Sequence, residues 1–150
     1  MAFIQPCFIR NNTPELRKKL EEFGYKFSGA DHIELDCIVT LPHHNTFSVF
    51  AAHHFNIYDD SFKTVWQEYI DCGTNEELFL ALAALRNDSN ENQWHIVQDT
   101  MWDENYNGEI TVYYEKGEWL IWDYYFYMED MPPHVRKATV EEIIEHFKST

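Results

Sequence analysis

Asp71-Cys-Gly-Thr-Asn-Glu-Glu-Leu-Phe-Leu-Ala-Leu-Ala-Ala-Leu-Arg86 is the stretch whose reading decides the fold. Thr74 stands where an N-cap belongs and Glu77 follows three residues later, the spacing of a capping box. From Leu78 to Leu85 no charge occurs. The helix this predicts must be covered on nearly every side, as a central core helix is. It is too short, and too closely flanked by charge, to span a bilayer.

Working outward, 150 residues suit one domain, 1–150, able to bury most of its apolar surface. Hydrophobic residues at 45% and aromatics at 17% exclude a disordered chain. Eleven basic against 26 acidic residues give a net charge of −15. That balance argues against direct nucleic-acid binding and against anionic membranes, and favours a basic protein partner or plain solubility. Cys7, Cys37 and Cys72 are widely spaced, with no C-x-x-C pair. They are expected as buried thiols in a reducing cytoplasm. The first ten residues lack the basic-then-apolar pattern of a signal peptide.

Phe3 to Arg10 predicts a short strand in which Pro6 fits an edge or a bulge. Thr13-Pro14-Glu15 opens a helix with the apolar stripe Leu16, Leu20 and Phe23, and Gly24 stops it. Tyr25-Lys26-Phe27 begins a strand. His32 to Leu41 predicts another, with Ile33, Leu35, Cys37 and Val39 on one face. Pro42 to Asn45 is a turn and Thr46 to Phe55 a returning strand. Phe62 to Ile70 reads two ways: Phe62, Val65, Trp66 and Tyr69 have helical spacing, while Tyr69-Ile70 would also serve as a short strand feeding the central helix. Trp94 to Val97 is extended. Asn107-Gly108 signals a type I′ hairpin, and Lys116-Gly117 a second one that would set Tyr114 opposite Trp119 and Val112 opposite Ile121. Thr139-Val140-Glu141-Glu142 is another capping box, opening a helix striped by Ile143, Ile144 and Phe147. The fold expected is α+β: an antiparallel or mixed sheet of about five to seven strands, with three helices mostly on one face.

Phe8-Ile-Arg-Asn-Asn-Thr-Pro-Glu-Leu-Arg-Lys-Lys-Leu20, the 71–86 stretch, Asn92-Gln93-Trp94 and Lys137-Ala-Thr-Val-Glu-Glu-Ile-Ile-Glu-His-Phe147 together resemble small uncharacterised proteins of gut Bacteroidales, their phages and mobile elements. The resemblance covers the three helices and carries no catalytic residue. It implies a cytoplasmic protein of mobile-element origin, of a kind that often acts by binding a host or competitor protein.

Chemistry-bearing constellations are sparse. His43-His44 and His53-His54 flank a predicted strand, with His32, Asp59 and Asp60 nearby, and imidazoles with carboxylates suit zinc. Adjacent strand residues point to opposite faces, however, and the pairs are separated by about 25 Å at strand rise. Surface histidines are the plainer reading. Cys72 before a helix N-terminus would have its thiolate favoured by the dipole, unless burial prevails. No phosphate loop and no nucleophile elbow occurs, and no cofactor is expected.

The remaining signal is the acidic, aromatic strip from Asn87 to His134, whose only basic residue is Lys116. Asp99, Trp102, Asp103, Glu104, Glu109, Glu115, Glu118, Trp119, Trp122 and Asp123 are the partner-binding candidates. Exposed rings beside carboxylates provide apolar anchors and a field that attracts a basic partner. The function expected is a non-enzymatic interaction module, in its sharpest form a phage- or mobile-element-encoded inhibitor of the anti-defence type. It would occupy a basic, nucleic-acid-binding surface of a protein. A small-ligand- or metal-binding role of the histidines is the alternative, and a homodimer joined through the aromatics a third reading.

Overall fold

Helix α1 (Pro14–Phe23) is bounded by its own neighbours, as the sequence predicts. The Thr13 hydroxyl accepts from the Leu16 N–H at 3.1 Å, and Pro14 takes the first turn. Gly24 sits at φ +117°, and the N–H groups of Gly24 and Tyr25 return to the Glu21 and Leu20 carbonyls, a Schellman stop. The computed structural model describes residues 3–28, 35–50, 68–121 and 135–148, with only the backbone of Met101. The readings placed on His32, His53, His54, Asp59, Asp60, Phe62, Val65, Trp66 and 122–127 lie outside them.

The central helix is α2 (Glu76–Ala83). Its cap is Asn75, not Thr74, and the Thr74–Glu77 box does not form: the Asn75 side chain accepts from the Leu78 N–H at 3.1 Å. A turn at Gly73, with the Asn75 N–H on the Cys72 carbonyl, starts the helix one residue later, and Asn caps at least as well as Thr. The amide of Asn75 also donates to the Phe147 carbonyl at 3.0 Å, tying the start of α2 to the third helix. That helix, α3 (Val140–Lys148), opens on the predicted reciprocal box. The Thr139 N–H donates to Glu142 Oε1 at 3.0 Å and the Glu142 N–H to the Thr139 hydroxyl at 3.2 Å.

A five-stranded mixed sheet lies under the helices. It contains β1 (Cys7–Ile9), β2 (Lys26–Phe27), β3 (Cys37–Leu41), β4 (Thr46–Phe50) and β5 (Ile70–Asp71), in the order β2-β4-β3-β1-β5. The β1–β5 and β2–β4 pairs are parallel, the others antiparallel. Pro6 is not at an edge, because β1 runs between β3 and β5; it stands just before the ladder, where no N–H is required. Cys7, Ile9, Ile38, Phe47 and Val49 face one core shared with Leu16, Leu20, Leu78, Phe79, Leu82, Ile143 and Phe147, so all three helices cover the same face. Cys37 and Val39 join Phe8 on the opposite face, whereas Leu35, ahead of the strand, packs with the main core.

Two smaller sheets complete the described chain. One has the order β10 (Val135–Lys137), β6 (Trp94–Val97), β9 (Trp119–Ile121); the other pairs β7 (Met101–Glu104) with β8 (Ile110–Tyr114). The expected pairing of β8 with β9 does not occur. The Lys116-Gly117 turn hands the chain back to β6, with the Gly117 N–H on the Val97 carbonyl at 2.8 Å and the Val97 N–H on the Glu118 carbonyl at 2.9 Å. Ile121 therefore lies opposite Trp94, and β8 keeps β7 as its partner.

A buried polar hub joins these layers. Gln93, fully buried, accepts from the Arg86 N–H at 3.0 Å and donates to the Ser89 and Glu91 carbonyls. The Lys137 ammonium reaches the Arg86 and Ser89 carbonyls at 3.0 and 3.2 Å, and its burial lowers its pKa. His95, also fully buried, donates from Nδ1 to the Gln93 carbonyl, and burial depresses its pKa so that it stays neutral.

The Glu142 carboxylate that closes the α3 box also takes both Arg136 guanidinium nitrogens at 2.6 Å. Arg136 first, then the Thr139 N–H, holds its pKa down to about 2. A depressed folded-state pKa means stability is present above the unfolded value near 4.5 and is lost as the pH falls through about 2. With the pair largely in water, screening reduces its worth to about 1 kcal/mol. Glu142→Gln is expected to lower stability by about that amount at pH 7. The gap from the parent protein should close between pH 4.5 and 2 in denaturant titrations.

Candidate functional site

The strand pair β7–β8 projects from the fold. From Gln98 to Glu118 every described side chain is exposed except Tyr114, which is half-buried. The loop joining the strands is built by Asn105. Its side-chain oxygen accepts from the N–H groups of Asn107 and Glu109, and its backbone pairs with Gly108 and Glu109. Only Gly108, at φ +83°, is left-handed, so this is a turn closed by a glycine bulge. The type I′ turn expected at Asn107-Gly108 is not formed, because the Asn105 side chain closes a longer loop.

Register decides what each face carries. Trp102 lies opposite Val112 and Glu104 opposite Ile110, so these four share one face; Asp103 and Thr111 take the other, with Tyr113. Trp102 is 57% exposed, Val112 48% and Ile110 64%, a continuous apolar stripe in water. Tyr106 at the loop tip is 99% exposed. Glu104 shares the face of the stripe and Asp103 lies on the other; with Asp99, Glu109, Glu115 and Glu118 they make the hairpin acidic, all of them exposed, and Lys116 is the one base among them. At the base, the Lys116 N–H meets the Thr100 hydroxyl at 3.3 Å and the Glu115 N–H the Glu118 carboxylate at 3.1 Å.

Trp119 is not part of this surface. Half-buried on β9, it stacks on His146 at 3.9 Å with 12° between planes and meets Phe147 edge-on. Trp94 packs against the same phenyl ring at 5.6 Å. Trp122 and Asp123 lie outside the described residues. The structure thus brings together Asp99, Trp102, Asp103, Glu104, Glu109, Glu115 and Glu118. It adds Ile110 and Val112, for which strand alternation was the available signal, and the exposed tyrosines Tyr106 in the loop and Tyr113 on the other face.

His43 and His44 are exposed on a 3₁₀ turn, Pro42–His44, whose Pro42 is buried and which Asn45 closes at φ +54°. Among the described residues no three His, Cys, Asp or Glu side chains come together as a ligand set, and no helix is long and apolar enough to cross a membrane. The three cysteines are free and buried. Burial pushes the Cys37 thiol up to about 11. Hydrogen bonding to the Cys7 thiol, followed by burial, raises that of Cys72, so no dipole-stabilised thiolate forms there. No family model, no curated protein and no solved structure matches the chain.

Proposed function

We propose that the chain is a non-enzymatic interaction protein whose β7–β8 hairpin seats on a basic surface of a protein partner. The observation that carries this is the stripe Trp102, Val112 and Ile110, open to water and bordered by carboxylates. A two-stranded hairpin is marginal in water without a layer against it, and contiguous exposed apolar surface marks interaction sites. The stripe supplies anchors at the centre of a contact, and the acidic rim supplies steering toward positive charge. A surface that ordinarily holds nucleic-acid phosphates is the basic surface such an array fits. The function is then inhibition by occupancy, in the manner of an anti-defence protein of a phage or mobile element acting in the cytoplasm.

The test is capture of partners from host extract, followed by quantitative binding to the captured protein. Affinity should fall about tenfold or more between about 50 and 500 mM salt, through screening. Reversal of Asp99, Asp103, Glu104 and Glu109 to lysine should remove binding at every salt concentration, and nucleic acid should compete for the same partner. Binding indifferent to salt and to the four reversals would overturn the proposal.

A further inference from the structure

Where the helices meet the three-stranded sheet, packing leaves a groove of about 350 Å³. Its apolar walls are Phe23 of α1, Leu80 and Ala81 of α2, Trp94 of β6, Ile121 of β9 and Phe147 of α3, with Asn92 as a neutral polar edge. Small-ligand sites have this size and character, mostly apolar with a few polar groups at fixed places. No residue of the β7–β8 hairpin lines it, so the groove stands apart from the hairpin surface.

The mouth carries Lys19 and Glu77. Lys19 is already paired with Glu22 at 3.6 Å. Glu77, exposed in the first turn of α2, makes no hydrogen bond or ion pair among the described residues, since the capping box predicted for it does not form. The available charge at the mouth is therefore negative, on a protein of net charge −15 that concentrates cations around itself. Trp94 in the wall offers an aromatic ring, whose face attracts cations as well as apolar rings.

We infer that the groove binds a small organic cation with an aromatic body, the ring seated against Trp94, Phe147 and Leu80 and the ammonium beside Glu77. An anionic analogue of the same shape meets repulsion from Glu77 and from the whole surface. A neutral one keeps only the apolar contacts.

Three indoles of nearly equal shape test this: tryptamine, 3-methylindole and indole-3-acetate, titrated while the methyl resonances of Leu80, Ala81 and Ile121 are followed. Tryptamine is expected to shift all three methyls and to saturate below about 1 mM, 3-methylindole to bind about 3- to 10-fold more weakly, and indole-3-acetate weakest of all. Glu77→Gln, a surface change, should bring tryptamine to the level of 3-methylindole. Leu80→Trp, which fills the groove, should stop all three. Equal binding of the three indoles, or a tryptamine preference unchanged in Glu77→Gln, would overturn the cation assignment. Shifts confined to residues outside the groove would overturn the site itself.

Discussion

Phe79→Ala is expected to destabilise the protein by about 3–5 kcal/mol, the usual cost of emptying a buried phenylalanine site. Phe79 is fully buried at the middle of α2, in the core where that helix lies over Cys7 of β1 and against the other helices. Its backbone carbonyl lies 4.0 Å from the Cys7 thiol, so helix and strand leave little freedom to collapse into the space. Domains of this size are stable by only about 5–15 kcal/mol, and the loss would take much of that margin. Denaturant unfolding is the measurement. The midpoint should fall sharply while the slope stays unchanged, because the same surface is still exposed on unfolding. A shift worth less than about 1 kcal/mol would mean that the site refills and that α2 is not the pivot of the core.

Gln93→Leu is expected to cost about 2–4 kcal/mol, although it replaces a polar side chain by an apolar one at a fully buried position. The amide is the partner of the Arg86 N–H at 3.0 Å and of the Ser89 carbonyl at 2.7 Å. Leucine fills the volume and leaves the Arg86 N–H without its acceptor. The Ser89 carbonyl keeps the Lys137 ammonium, so the penalty falls mainly on one orphaned donor and on the loop geometry. Equilibrium unfolding supplies the number. Amide hydrogen exchange locates it, with faster exchange expected at Arg86 and along β6. A stabilising outcome would show that the hub is replaceable by packing alone.

These positions differ in how far the sequence reveals them. The Thr13 cap, the Gly24 stop and the Thr139–Glu142 box are legible because each depends on residues within one turn of helix. Thr74 was a plausible cap by the same rules, but Asn75 beside it also answers to the Phe147 carbonyl, a contact no local pattern contains. The choice of β6 over β8 as the partner of β9 is likewise non-local: a Lys-Gly turn closes a hairpin or redirects a strand equally well. Gln93, His95 and Lys137 look like surface residues in a linear reading, and only tertiary packing encloses them. Composition pointed to an acidic, aromatic strip. Which of its rings face water depends on what each strand packs against: β7–β8 is open on both faces and leaves Trp102 and Tyr113 in water, while Trp119 on β9 turns inward onto His146.

Asn75 joins two distant parts of the chain. Its side chain holds the first turn of its own helix and, through the other atom of the same amide, the end of a helix 72 positions further along. Synthesis delivers those two ends at different times. The middle of the molecule therefore waits, half finished, until later residues emerge to complete it, and any early shortening of the chain would be felt first at its centre.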